Sequence, residues 1–181
     1  MSIKKQDIIK EVLWWVKTIA FLFIFTLILN KKVSIFANIE SGSMEETIMT
    51  YDQVYGNRLS YEFSDPERGD IVFFYAPDEP QKIYIKRLIG IPGDHIVIKD
   101  SKIYFNDSIE PITESYLKEE WVIGNDGYEY TVPENSYFML GDNRNDSFDS
   151  RYWKNTFVSR EMIIGKAEFI YFPFWNIKIL K

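Results

Sequence analysis

The sequence predicts a mostly β domain, a barrel or a set of coiled β-sheets, behind a single N-terminal transmembrane helix. Three observations predict this fold class. One long apolar segment lies near the N-terminus, short runs rich in Val, Ile, Tyr and Phe follow it, and Gly, Pro, Asn and Asp separate those runs. With 181 residues, 46% of them hydrophobic, the chain is long enough for one domain with a sizeable core. We expect a short N-terminus over residues 1–11, the helix over 12–32 and the β-rich domain over 33–181.

The apolar segment is predicted to be a membrane anchor. Residues 12–29 are apolar except for Lys17, Thr18 and Thr26. Eighteen helical residues rise about 27 Å, close to the hydrocarbon thickness of a bilayer. Because the apolar residues surround the helix instead of forming a stripe, an anchor is favoured over a buried core helix. A cleaved signal peptide is the other interpretation, but Ile35-Phe36-Ala37 is a poor cleavage site and cleavage there would leave Ser43 close to a free terminus.

The orientation of the anchor is weakly determined by charge. Lysines 4, 5 and 10 precede the apolar run, and lysines 31 and 32 follow it. Since basic residues favour the cytoplasmic side, this slight excess favours a cytoplasmic N-terminus and an extracytoplasmic β domain. We therefore expect a single-pass protein of the cell membrane, with the lipid bilayer as one partner.

The rest of the chain alternates strand-forming runs with turns. Asp100-Ser101 is expected to form a hairpin turn, and the acidic, irregular stretch 107–127 is expected to be an insertion. Many short strands of this kind are typical of a barrel or of coiled sheets. The predicted strands are 53–57, 71–75, 82–90, 95–99, 102–105, 128–132 and 136–140, with closing strands at 165–171 and 175–180.

Composition excludes several classes of function. The net charge of −6 argues against a nucleic-acid partner, because neutralising phosphates requires clustered Lys and Arg. No cysteine is present, so disulfides, thiolate metal sites and cysteine nucleophiles are excluded. With His95 as the single histidine, a histidine metal cluster is excluded too. No spaced Asp/Asn/Gly loop for a hard cation is present, and we expect neither a metal nor a cofactor.

A candidate nucleophile lies just after the apolar segment, in Ser41-Gly42-Ser43-Met44. A serine hydroxyl needs a nearby base, and His95 lies in a turn that leads into a strand. By elimination the best-placed base is Lys86, in the predicted strand 82–90. Burial among apolar neighbours lowers the pKa of a lysine and fits it for this role. The alternative is a solvated strand face carrying Lys82 and Lys86, which is the commoner situation for strand lysines.

Residues 141–151 are dense in Asp, Asn, Arg and Ser. They are consistent either with a polar turn or with a supporting part of the site. In the second case the Ser147 hydroxyl is available to bond an amine, and Asp149 and Arg151 lie on one side of an extended chain as a charge pair. Arg68-Gly69-Asp70 is better explained as a turn into the strand 71–75 than as an adhesion tripeptide.

Together these stretches resemble the bacterial type I signal peptidases, in the short form typical of Gram-positive bacteria. This family consists of membrane-anchored serine proteases that use a Ser–Lys dyad. Each stretch alone is a weak signal, but four in the right order behind one anchor are specific. The matching stretches are 41–47, 68–73, 84–94 and 141–153, and the similarity runs from the anchor to about residue 172.

The resemblance implies a role for each matching residue. Ser43 is the nucleophile and Lys86 is the general base, while the Ser43 backbone N–H and the Ser41 hydroxyl form the oxyanion hole. His95 receives no role. The residues implied to support the site are Ser147, which orients the Lys86 amine, and Asp149, Arg151 and Arg87, which brace it as a charge network.

The resemblance also implies the substrate. Signal peptidases remove signal peptides from exported preproteins after small residues at positions −1 and −3, because larger side chains clash with shallow pockets. The anchor holds the site at the membrane surface, where the scissile bond emerges. Residues 172–175 are expected either to touch the membrane interface or to belong to a core strand.

Three positions depart from the family pattern. Glu40 and Glu46 stand where the family often has proline, and Trp153-Lys154-Asn155 replaces the usual Trp-Gly. With Glu45, these carboxylates lie beside the nucleophile and are consistent with a specialised client set.

The alternative functions are an assembly factor for exported surface-fibre (pilus) subunits and a self-cleaving regulator. An intact Ser–Lys dyad disfavours the assembly factor, and the membrane anchor disfavours the self-cleaving regulator.

Overall fold

The computed structural model describes residues 5–181, so the first four residues of the expected N-terminal segment lie outside the described part. The chain divides into two units at the Ser34–Ile35 boundary. The first contains helix α1, Lys5–Val33, which begins before the apolar run. Asp7 in its first turn and Lys31 and Lys32 in its last turn match the helix dipole.

The helix α1 has the properties of a membrane span. Asp7–Val33 is long enough to cross a bilayer, and its apolar window has a mean hydropathy of 2.2 with none of its side chains buried. The two threonines inside it satisfy their hydroxyls internally: Thr18 donates to the Trp14 carbonyl at 2.9 Å, and Thr26 donates to the Leu22 carbonyl at 2.8 Å. In a bilayer these bonds would remove the cost of placing a free hydroxyl in hydrocarbon.

The second unit is built from two antiparallel sheets. The larger has eight strands, in the order β1-β2-β10-β3-β4-β8-β9, with β11 also paired to β10. The smaller has the order β6-β5-β7. The strands are β1 Ser34–Asn38, β2 Gln53–Asn57, β3 Ile71–Tyr75, β4 Ile83–Gly90, β5 His95–Lys99, β6 Lys102–Phe105, β7 Tyr128–Thr131, β8 Ser136–Leu140, β9 Val158–Ser159, β10 Ile163–Phe172 and β11 Lys178–Ile179.

Strand β4 lies where three hydrophobic clusters meet. Ile85 packs in the cluster around Met44 and Phe73. Leu88 packs in a second cluster, and Ile89 in a third. Because all three clusters converge on this strand, both of its faces are buried from Ile85 onward, including the polar positions.

The mostly β fold class with one N-terminal apolar helix is confirmed. The Asp100-Ser101 turn is a two-residue hairpin between paired Lys99 and Lys102, and both turn residues have positive φ, 49° and 63°. The stretch 107–127 contains neither helix nor strand, but Trp121 in it is 1% exposed. The run 175–180 is not one strand: a 3₁₀ turn, Phe174–Asn176, precedes the two-residue β11.

Candidate active site

Ser43 lies in a 3₁₀ turn, Gly42–Met44, shortly after β1. The next side chain, Met44, is 1% exposed and packs in the first cluster, while the Met44 carbonyl accepts from the Ile48 N–H at 2.7 Å. The turn is therefore held by the core immediately after the serine. Ser43 itself is 7% exposed and borders a cleft of about 750 Å³.

Lys86 projects from β4 into the same cleft, and its Nζ is in hydrogen-bond contact with Ser43 Oγ. Lys86 is 5% exposed, whereas Lys82 lies at the surface and pairs with Glu79 at 2.6 Å. The solvated-face alternative thus describes Lys82 and not Lys86. Burial lowers the pKa of Lys86 from 10.5 to about 8, against the opposing charges of nearby carboxylates such as Asp149. A fraction of this amine is therefore neutral near pH 7.5 and able to accept a proton from the serine.

Ser41 stands beside the nucleophile. Its Oγ lies 3.4 Å from Ser43 Oγ, and its backbone is extended, with φ −130° and ψ 151°. Its side chain is exposed to the cleft. A hydroxyl at this position is available to donate to an oxygen bound next to Ser43.

Ser147 is 6% exposed, and its Oγ has no hydrogen-bond partner among the described residues. The bond to the Lys86 amine that the resemblance implies is therefore not formed here. Gly141 explains how closely this loop approaches the nucleophile. A Cβ at position 141 would lie 2.3 Å from Ser147 Oγ and 2.4 Å from the Ser43 carbonyl oxygen, so only glycine fits.

The charge network divides into two pairs that sequence reasoning treated as one. Asp149 and Arg151 form a fully buried pair through contacts of 2.8 and 2.9 Å, and Asp149 also accepts from the Gly141 N–H at 3.1 Å. Arg87 does not join them. It pairs with Asp142 through two bonds, Nε to Oδ1 at 2.8 Å and Nη2 to Oδ2 at 2.7 Å. This fork-to-carboxylate geometry fixes strand β4 to the loop 141–151.

Three residues of the site were missed from the sequence. Asp142 also accepts from Thr47 Oγ1 at 2.5 Å, which links the Arg87 pair to the nucleophile loop. Asn143 holds that loop directly, because its N–H donates to the Ser43 carbonyl at 3.1 Å and its Nδ2 donates to the Gly42 carbonyl at 2.9 Å. Asp142 and Asn143 belong to the polar stretch already singled out, but nothing in their spacing identifies their partners.

The irregular stretch 107–127 packs against the site. Its Glu114 forms an ion pair with the buried Arg144, and the Tyr116 ring lies 3.9 Å from the Arg87 guanidinium. Lys118 pairs with Glu45 at 2.8 Å, two residues after the nucleophile. The insertion therefore buttresses the loops that carry the site.

Two other sequence features lie outside the cleft lining. His95 contacts Glu129 at 2.8 Å on the smaller sheet. Arg68 pairs with Asp94 at 3.0 Å, and Gly69, with φ +95°, forms the turn into β3. Among residues 5–181, no group of three or more His, Asp or Glu side chains is arranged to hold a metal ion.

Comparisons with known proteins point to one family. The model of the family described as signal peptidase, peptidase S26, matches residues 12–172. A probable signal peptidase I-2 of Synechocystis sp. is 37% identical over 150 residues, which cover 78% of this chain and 65% of that protein. A signal peptidase I of Rickettsia conorii is 36% identical in an alignment 187 positions long, gaps included, that covers 75% of this chain and 70% of that protein. The chain thus spans about two thirds of the length of these curated relatives.

A solved structure is also similar. The crystal structure of a signal peptidase I from Enterococcus faecalis V583 is 32% identical and covers 57% of this chain and 97% of its own, with a TM-score of 0.47.

Proposed function

The chain belongs to the signal peptidase family, peptidase S26, a family of serine endopeptidases, and on this premise we propose that it removes signal peptides from exported preproteins. The observation that carries the proposal is the contact between Ser43 Oγ and the buried Lys86 Nζ. A hydroxyl next to an amine of lowered pKa is one arrangement by which a serine acts as a nucleophile without histidine.

In the proposed reaction, Lys86 accepts the hydroxyl proton as Ser43 Oγ attacks the carbonyl carbon of the scissile bond. The negative charge on the carbonyl oxygen is stabilised by the Ser43 N–H and the Ser41 hydroxyl. Protonated Lys86 then gives its proton to the amine of the departing chain, which leaves Ser43 esterified to the signal peptide. A water molecule, deprotonated by Lys86, hydrolyses that ester and restores the serine.

The supporting residues keep the two reacting groups in place. The Arg87–Asp142 pair, with Thr47, ties β4 to the nucleophile loop, and Asn143 holds the two carbonyls around Ser43. Ser147 lies next to the site with an unused hydroxyl, which we propose turns to the Lys86 amine when substrate is bound. Asp149 and Arg151 fix the loop that carries it.

The substrate fits the cleft through its acyl half. Strands β1 and β4 line the cleft with apolar side chains such as Ile35 and Ile85, which favour small residues at positions −1 and −3 over larger or charged ones. Helix α1 is proposed to span the cell membrane once, with a cytoplasmic N-terminus and the β domain outside, where preproteins emerge. Glu40, Glu45 and Glu46 near the nucleophile make a restricted set of clients part of this proposal.

The test is cleavage of a purified preprotein with small residues at −1 and −3, by full-length protein in detergent micelles. We expect wild type to cut at that site and Ser43→Ala to leave the preprotein intact. Ser115→Ala, at an exposed serine of the 107–127 stretch, is the matched control and should cut normally.

The Lys86→Arg variant distinguishes a lysine that acts as a base from one that only supplies a positive charge. It should be inactive, because a guanidinium does not deprotonate at working pH. Normal turnover by Lys86→Arg would refute the lysine-base mechanism. If wild type and Ser43→Ala bind the preprotein equally and neither cuts it, the chain is a binding or assembly factor instead.

A further inference from the structure

An exposed carboxylate and an exposed aromatic ring stand side by side at the rim of the cleft. Ser147 has an extended backbone, with φ −127° and ψ 121°, so its neighbours Asp146 and Phe148 present their side chains opposite to its own. Ser147 is accordingly 6% exposed, whereas Phe148 is 57% exposed and Asp146 is exposed too. Both neighbours line the cleft that contains Ser43.

The charges of the cleft leave this carboxylate without a counter-ion. Four charged side chains line the cleft: Glu40, Lys82, Lys86 and Asp146. Lys82 is already paired with Glu79 at 2.6 Å, and Lys86 contacts the Ser43 hydroxyl. Among residues 5–181, neither Glu40 nor Asp146 has an ion-pair partner within 4.0 Å.

The position of this pair determines which half of a substrate it meets. The apolar lining of β1 and β4 takes the acyl half, as proposed above. Asp146 lies on the loop 141–151, near Lys86. Burial lowers the pKa of Lys86, and Asp146 is one of the nearby carboxylates whose negative charge opposes this lowering. Because the amine of the departing chain takes its proton from Lys86 in the proposed reaction, we assign the departing half of the substrate to the side of Asp146 and Phe148.

We propose that Asp146 and Phe148 form a subsite for the side chain of a lysine or arginine at the first or second residue after the scissile bond. The Phe148 ring packs against the methylene stem, and the Asp146 carboxylate pairs with the cation. This inference rests on the proposed function. An exposed ion pair together with a cation–aromatic contact supports a preference for lysine over glutamate of about tenfold in kcat/KM.

The experiment uses preproteins that differ only at these two positions, which carry lysine, alanine or glutamate in turn. Full-length protein in detergent micelles should cut the lysine substrates fastest and the glutamate substrates slowest. Salt should reduce the lysine-to-glutamate ratio towards one, because the Debye length falls from about 10 Å at 0.1 M to about 3 Å at 1 M. A ratio near one at low salt would overturn the subsite while leaving the proposed function intact.

Variants test whether Asp146 and Phe148 cause the preference for lysine over glutamate. Asp146→Asn should bring the lysine-to-glutamate ratio to within about twofold of one, and Phe148→Ala should reduce it partly. Because the ratio is measured within each variant, a general loss of activity cancels. Glu161→Gln, which removes an exposed carboxylate outside the cleft lining, should keep the full ratio. An unchanged ratio in Asp146→Asn would refute the assignment, and failure of wild type to cut any of the substrates would refute the proposed function and this subsite with it.

Discussion

Replacing the buried lysine should make the protein more stable and inactive at the same time. The pKa of Lys86 falls from 10.5 to about 8 because burial disfavours its charged form. Since a tenfold change in proton affinity equals 1.36 kcal/mol, keeping this amine protonated in the folded protein costs about 3 kcal/mol below pH 8. Lys86→Met keeps much of the volume and removes this cost, while it loses a hydrogen bond to Ser43 worth about 1 kcal/mol. We expect a net gain of about 2 kcal/mol in the free energy of unfolding at pH 7.

The dependence of this gain on pH is the sharper test. Between about pH 8 and 10.5 the unfolded chain retains the Lys86 proton and the folded protein releases it, so wild-type stability rises through this window. The advantage of Lys86→Met should therefore be constant below pH 8 and shrink as the pH approaches 10.5. Denaturant unfolding of the full chain in micelles, followed by tryptophan fluorescence, measures it. Lys99→Met, at an exposed lysine of β5, is the control and should show no such gain at pH 7.

Two results would refute this reasoning. If Lys86→Met is less stable than wild type at pH 7, burial of the charged amine is not the dominant cost. If its advantage does not change between pH 8 and 10.5, the proton released in that window does not come from Lys86.

Three further predictions follow from the same geometry. The kcat/KM for preprotein cleavage should rise with pH through about 8, as Lys86 loses its proton, and a profile that is flat from pH 6 to 9 would contradict the lysine base. Gly141→Ala should lower kcat at least about a hundredfold, since its Cβ would lie 2.4 Å from the Ser43 carbonyl oxygen, and near-normal single-turnover rates would show that the loop adjusts. Arg87→Lys should lose the two-pronged bond to Asp142 and destabilise the fold by about 2 kcal/mol in denaturant titrations, whereas wild-type stability would show that a point charge suffices.

The strands of the β domain were largely predictable because each is a short run of β-branched and aromatic residues with turn residues at its ends. Seven runs predicted after the apolar segment match β2 to β8 to within one residue. Strand β1 was missed because it follows directly on the helix, and its residues Ile35-Phe36-Ala37 were considered only as a possible cleavage site. Strand β9 has two residues, too few to produce a pattern.

Residues of the site could be predicted from the sequence where the chemistry restricts the choice of residue type. Their contacts could not be predicted where the partner lies far away along the chain. The single histidine, which lies in a turn, led to the prediction that Lys86 is the base, and the structure brings Lys86 into contact with Ser43, while its role as the base stays a prediction. The partner of Arg87 could not be read from spacing, because Asp142 is 55 residues away along the chain. Tyr116, in a stretch without regular structure, packs on the Arg87 guanidinium through a contact that no local pattern encodes.

The buried basic residues of the domain differ in the group that each of them contacts. Three buried arginines each have a carboxylate partner, in the pairs Arg87–Asp142, Arg144–Glu114 and Arg151–Asp149. Among the buried basic residues that the structure describes, Lys86 is the one whose amine meets a hydroxyl instead of a carboxylate. A carboxylate in direct contact would stabilise the charged amine and raise its pKa back towards 10.5. The arginine pairs hold the loops in place, whereas Lys86 has no carboxylate in direct contact and, in the proposed mechanism, remains easy to deprotonate.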